Sequence, residues 1–206
     1  MSTRVKICGV TSVADAALAV RCGADLIGLN FYPPSPRYVS LPIAREIRAV
    51  IPERVWCVGV FVNAAREFIT QFVEQLALHA IQFHGDEKEA DLQGWSCMTI
   101  KALRVHPDEP LPQWEQFVTD YLLLDTHQPG RYGGTGEAFS WKRAAALPPH
   151  CVSRLILAGG LTPQNVAAAV QTVRPWAVDV ASGVESVPGC KDPEKLRAFI
   201  TNAKTA

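Results

Sequence analysis

Four reactive side chains follow short apolar runs in this chain. Cys8 closes RVKIC, Asp125 closes YLLLD, His84 follows AIQF, and Arg37 sits in the proline-rich loop after DLIGLNF. A thiol and a carboxylate in one pocket form an acid–base pair, one taking a proton and the other giving one. A free thiol, with a pKa near ~8.5, is only slightly ionised at neutral pH, and an aspartate near ~3.9 is a poor acid unless burial raises it. Both groups therefore depend on their surroundings. Two further runs, 155–158 and 177–180, end in Gly159-Gly160 and Ser182-Gly183. Glycine lets bare backbone N–H groups approach a ligand, and with a helix N-terminus nearby the pair suits a phosphate. Taken singly, Cys8 reads as a core cysteine, Asp125 as a cap or ion pair, and each glycine as a tight turn. Their common position at run ends makes a phosphate-binding, proton-transferring site the stronger reading.

The elements that must position these groups alternate along the chain. Strand-like runs fall at 4–8, 25–31, 55–62, 79–83, 98–105, 121–125, 155–158 and 177–180. Between them, helical spacing recurs: Val13, Ala16, Ala17 and Val20; residues 41–50; a helix capped by Asn63 and running through Ala77; a polar helix from Asp86; a short helix at 114–118; another at 141–147. Thr162-Pro163 opens a helix with Val166, Ala169, Val170 and Val173, and 192–203 closes the chain. The prolines of 32–40 and of HPDEPLP (106–112), and the glycine-rich 126–139, mark loops. Eight strand–helix units without an all-helix or all-strand block predict a parallel α/β fold, with a closed (β/α)8 barrel over a single domain, 1–206. The runner-up, a doubly wound open sheet, calls for GxGxxG after the first strand, where this chain reads CGVTSV.

In a barrel the active residues sit at the C-terminal strand ends, which is where Cys8, Arg37, His84, Asp125 and both glycine turns fall. Strand alternation places Lys6 with Cys8, and Leu123 with Asp125, on common faces. Composition narrows the partners. Formal charge is zero, from 20 basic and 20 acidic residues, so no nucleic-acid-binding field is expected. No run reaches the roughly 20 apolar residues of a membrane span, and MSTRVKICGV is not a signal peptide. Six scattered cysteines without a CxxC pair form neither a disulfide framework nor a zinc site, which points to a reducing cytoplasm.

Together the motifs resemble one family from end to end: KICG (6–9), SPRYVS (35–40), GVFVN (59–63), QFHG (82–85), LLD (123–125), GGTG (133–136), LAGGL (157–161), and DVASGVE with PGCKD (179–192). The chain is similar to phosphoribosylanthranilate isomerases of tryptophan biosynthesis. The resemblance implies a cofactor-free, metal-free Amadori rearrangement of a phosphorylated small molecule. It makes Asp125 the general acid on the furanose ring oxygen and Cys8 the general base at C2. Arg37 would grip the anthranilate carboxylate through its bidentate fork, and Gly159, Gly160, Ser182 and Gly183 would line the phosphate cup. His84 reads either as a substrate contact or as a structurally satisfied residue. Lys6, Lys101 and Asp179 read as ligand contacts or as an interior ion network. Ala181 departs from the family's usual DVSSGVE, leaving Ser182 and backbone donors for phosphate. The oligomer is expected to be a monomer or homodimer.

Other readings stay open at this level. The histidine-pathway aldose–ketose isomerase would carry an aspartate where Cys8 stands. Indole-glycerol-phosphate synthase would need a catalytic lysine and an N-terminal extension. A non-catalytic phosphosugar-binding barrel would have no use for Cys8, Asp125 and Arg37 together.

Overall fold

The computed structural model describes residues 3–105, 117–126 and 141–206. The expected loops at 106–112 and 126–139, the GGTG motif and residues 114–116 lie largely outside these segments, and only Thr126 of the glycine-rich stretch falls within them. Eight parallel strands close into a barrel in chain order: β1 (Arg4–Cys8), β2 (Leu26–Asn30), β3 (Trp56–Phe61), β4 (Ala80–Phe83), β5 (Met98–Val105), β6 (Tyr121–Thr126), β7 (Leu155–Leu157) and β8 (Ala177–Val180). β1 and β8 seal the ring, with Lys6 opposite Asp179 and Ile7 opposite Val180. The expected (β/α)8 fold is therefore the observed one.

Alternation divides each strand between two cores. Leu26, Val58, Ala80, Ile100, Leu123, Ile156 and Ala177 fill the barrel, packed against Trp56, Tyr121 and Trp176. The Tyr121 and Trp176 rings lie 4.1 Å apart, and the Arg4 guanidinium stacks on Trp176 at 4.8 Å. The other face, including Ile7, Ile27, Leu29, Ile81, Leu122, Leu124 and Leu157, meets the helices. Both faces being apolar over most of their length explains why these runs read as near-continuous hydrophobic stretches.

The helices are α1 (Val13–Cys22), α2 (Leu41–Ala49), α3 (Arg66–Leu76), α4 (Glu89–Leu92), α5 (Trp141–Ala145), α6 (Pro149–Val152), α7 (Val166–Val173) and α8 (Pro193–Thr205). Ser12 caps α1 by accepting from the Asp15 N–H at 3.1 Å, and Gly23 ends it in the left-handed region. Asp192 caps α8, accepting from the N–H groups of Glu194 and Lys195. Several boundaries differ from expectation. Asn63 does not cap α3, which starts after Ala65; its Oδ1 accepts instead from the Asp86 N–H at 2.7 Å. The polar helix after Asp86 is only the single turn of α4, and Phe117 and Val118 are not helical. α7 begins at Val166, because Thr162 to Asn165 form a turn closed by the Thr162 carbonyl. An unanticipated hairpin, β9 (Glu185–Val187) and β10 (Cys190–Lys191), follows a 3-10 turn at Ser182–Val184.

Candidate active site

One cavity of about 790 Å³ opens at the C-terminal ends of the strands. Of the further candidates Asp179 lines it and Lys6 and Lys101 do not, whereas its wall includes all of Cys8, Arg37, His84, Asp125, Gly159, Gly160, Ser182 and Gly183. They arrive on six different strand ends, so closure of the barrel is what brings them together.

On the β1–β8 side, Cys8 and Lys6 point into the barrel beside Gly28 of β2. A Cβ at position 28 would lie 2.9 Å from Cys8 Sγ and 3.3 Å from Lys6 Nζ. The missing side chain is the space in which thiol and ammonium meet. Lys6 is fully buried and donates to Asp179 Oδ1 at 2.8 Å. Burial favours the neutral amine, yet Asp179 and Cys8 outweigh it and hold the Lys6 ammonium above its ordinary pKa. Burial pushes the Cys8 thiol up as well; Lys6 and Lys191 pull it down and Asp179 opposes them, leaving it raised. The open cavity thus holds a thiol poised beside a permanent cation. Lys101 does not join this network: it pairs with Glu87 at 2.6 Å and donates to the Gly85 carbonyl at 2.8 Å. Glu87 also accepts from the Gly85 and Asn63 N–H groups, so this pair ties together the loops after β3 and β4.

Arg37 is positioned by a stiff loop. Ser35 Oγ accepts from Asn30 Nδ2 and from the Arg37 N–H, both at 3.1 Å, and the Asn30 Oδ1 accepts from the Tyr32 N–H at 2.9 Å. Its guanidinium fork grips Glu185, Nε to Oε1 at 2.8 Å and Nη2 to Oε2 at 2.6 Å. One edge of the fork is therefore occupied, and recognition of a second carboxylate falls to the remaining Nη1–Nη2 edge. Glu185 also accepts from Lys191 Nζ at 2.8 Å, and the same ammonium donates to the carbonyls of Cys8 at 2.7 Å and Ala181 at 3.2 Å. Burial alone would raise the Glu185 carboxyl; hydrogen bonds from Arg37 and Lys191 hold it below its ordinary range. Gly9 makes this approach possible, at φ +66° with the Arg37 side chain where a Cβ would stand.

The opposite wall is built differently. Gln82 on β4 is fully buried, and its Nε2 lies 2.8 Å from His84 Nδ1. His84 Nε2 in turn lies 3.4 Å from the buried Asp125 carboxylate. Arg104 reaches the His84 carbonyl at 3.4 Å.

At the ends of β7 and β8, Gly159 and Gly160 adopt φ +82° and +65°, as a sharp turn there requires. Gly183 has no positive φ; glycine is required there because a Cβ would strike the Leu161 carbonyl oxygen. Among the described residues the Gly160 N–H makes no turn or loop hydrogen bond, as suits a donor facing an anion. Asn165 fixes the loop, donating to the Gly160 carbonyl at 2.9 Å and accepting from the Thr162 N–H at 2.8 Å. α7 itself begins only at Val166, directly after this Asn165.

Sequence reasoning passed over Gln82, Asn165, Glu185 and Lys191. A signal existed for the last two: Pro188-Gly189 between two short strand-like pieces is a hairpin mark, and Gly189 sits at φ +85°. Gln82 had none, because one glutamine within an apolar strand gives no hint of its partner.

A (β/α)8 barrel that gathers titratable groups and glycine turns at the C-terminal ends of its strands has the architecture of the barrel enzymes. A family model of N-(5'phosphoribosyl)anthranilate (PRA) isomerase matches residues 5–202, and the chain belongs to that family. It is 48% identical over 209 residues to the N-(5'-phosphoribosyl)anthranilate isomerase of Myxococcus xanthus, covering 100% of this chain and 98% of the relative. The crystal structure of the phosphoribosyl anthranilate isomerase of Thermus thermophilus superposes with a TM-score of 0.87 at 37% identity, covering 98% of this chain and 99% of that one. A second crystal structure is of a phosphoribosyl anthranilate isomerase in complex with reduced 1-(o-carboxyphenylamino)-1-deoxyribulose 5-phosphate. It matches with a TM-score of 0.81 at 38% identity, over 99% and 100% of the two chains.

Proposed function

We propose that this chain is a phosphoribosylanthranilate isomerase, converting N-(5-phosphoribosyl)anthranilate to 1-(2-carboxyphenylamino)-1-deoxyribulose 5-phosphate in tryptophan biosynthesis. The observation that carries this reading is the convergence of Cys8, Asp125, Arg37 and both glycine turns on one cavity. Asp125 gives its proton to the furanose ring oxygen as the bond from C1 to that oxygen breaks, leaving an iminium between C1 and the anthranilate nitrogen. The iminium acidifies the C2 proton, which the Cys8 thiolate removes. The resulting enaminol gains a proton at C1 and loses one from the C2 hydroxyl, giving the ketone. Substrate and product are isomers and every step is a proton transfer, so side-chain acids and bases supply the chemistry. Arg37 holds the anthranilate carboxylate with its free edge, and Gly159, Gly160, Ser182 and Gly183 hold the phosphate. Lys6 stabilises the Cys8 thiolate across the space left by Gly28.

The whole chain, 1–206, works as one catalytic domain, in the cytoplasm, as a monomer or homodimer. No helix among the described residues is long and apolar enough to cross a membrane. The test is to mix purified protein with freshly made phosphoribosylanthranilate and follow its fluorescence. Decay at an enzymatic rate is expected. A rate equal to that without protein would overturn the assignment and leave a phosphosugar-binding barrel.

A further inference from the structure

Gln82 is a fully buried amide in the barrel, and its Oε1 has no hydrogen-bond partner among the described residues. A buried acceptor left unmatched is costly, so the position is held by what the other end of the amide does. That end, Nε2, is a donor in every protonation state, and it meets His84 Nδ1 at 2.8 Å. A donor facing Nδ1 makes Nδ1 the acceptor, which leaves the proton of the neutral ring on Nε2. Nε2 is the atom that faces Asp125, at 3.4 Å. This separation is long for a formed hydrogen bond, and such contacts tighten as charge develops. The charged neighbour on β5, Arg104, reaches the His84 carbonyl at 3.4 Å.

We infer that Gln82 and His84 form a positioning relay in which Gln82 locks His84 as the Nε2–H tautomer, so that His84 stabilises the carboxylate created when Asp125 protonates the substrate. The inference rests on Asp125 being the general acid. A hydrogen bond that strengthens only as Asp125 loses its proton lowers the barrier to ring opening without tightening substrate binding. The relay moves no proton of its own; it fixes which ring nitrogen is the donor.

The test combines spectroscopy and kinetics on the full chain. Long-range 1H–15N correlation spectra, with the His84 signals assigned by their loss in His84→Gln, report the tautomer directly. Nε2 protonated and Nδ1 bare is the expected result. Gln82→Glu, an acceptor at the same place, should move a proton onto Nδ1. Gln82→Met and His84→Phe should lower kcat about 10-fold to 100-fold, the range for one hydrogen bond to a charged group, with KM within about two-fold. His84→Gln keeps a donor near the Nε2 position and should recover most of kcat. Three results would each overturn the relay: an Nδ1–H tautomer in the unmodified protein, full kcat in Gln82→Met, or His84→Gln as slow as His84→Phe. Should Gln82→Met not fold, the tautomer and the two His84 variants still decide. Asp125→Asn separates this relay from the reading beneath it, because full activity in that variant removes the acid assignment whatever the tautomer of His84.

Discussion

The two walls of the cavity solve opposite problems with opposite means. Around Cys8 the wall is ionic: Lys6 pairs with Asp179 in the barrel interior, and Lys191 and Arg37 pair with Glu185 of the β9–β10 hairpin. Around Asp125 it carries fewer paired charges, an amide and an imidazole in line with one carboxylate, with Arg104 of β5 opposite Asp125 in register. A base that must exist as a thiolate needs nearby cations, because burial favours the uncharged thiol. The difference teaches that the barrel keeps one polar layer but grades its charge from one side to the other.

The comparison breaks most sharply at its two ends. Cys8→Ala and Asp125→Asn should each lower kcat about 10²-fold to 10⁴-fold, the worth of a general base or acid, with KM changed far less. Steady-state assays of the two variants check this. Next in size is the ion pair beneath the thiol. Lys6→Met leaves Asp179 without its partner and should destabilise the fold by about 3–5 kcal/mol, read from urea denaturation. Lys6→Met with Asp179→Leu should recover most of that stability but not activity. In the double variant the pH at which Cys8 is half alkylated by iodoacetamide should rise, since the cation that favours the thiolate is gone. An unchanged alkylation profile would remove Lys6 from the base side. In the unaltered protein, whose Cys8 is held above its ordinary value, kcat/KM should climb with pH through neutrality.

Smaller effects sharpen the picture at the rim. Arg37→Lys keeps charge but loses the fork to Glu185 and to substrate, so product affinity should fall about 10-fold, and further in Arg37→Ala. Titration of product by fluorescence measures both. Gly183→Ala forces a methyl group against the Leu161 carbonyl. It should weaken a phosphorylated product analogue while leaving a dephosphorylated one unaffected. The smallest effect concerns acid. Glu185 is held below its unfolded value of about 4.3, so its contribution to stability is complete above that pH and is lost as pH falls through the lower folded value. Glu185→Gln should flatten the decline in urea midpoint as pH falls below about 4.3.

Much of this site was legible because the barrel makes strand ends and active positions the same thing. Cys8, Asp125, Gly159 and Gly160 each followed an apolar run, and alternation gave the correct face for Lys6 and Leu123. Local chemistry misled where its partner was tertiary. Asn63 carries a cap-forming side chain, yet Asp86, 23 residues on, takes it. Lys101 looked like part of an interior ion network and instead pairs with Glu87 behind the barrel wall. Gly183 was read as a glycine of the phosphate turn, whereas its constraint is the Leu161 carbonyl, which a local reading of the turn does not reveal. Arg37 was found, but the Glu185 that occupies half its fork lies 148 residues away.

The division of labour between the walls is tested most directly by the primary isotope effect on kcat/KM with substrate deuterated at C2. Ring opening breaks no C–H bond, and deprotonation at C2 does. In Asp125→Asn ring opening becomes limiting, and the isotope effect should fall toward unity. In Cys8→Ser, a weaker base, C2 deprotonation becomes limiting, and the effect should rise above that of the unaltered protein. The opposite pattern, or the same isotope effect in all three proteins, would contradict the assignment of the acid to β6 and the base to β1.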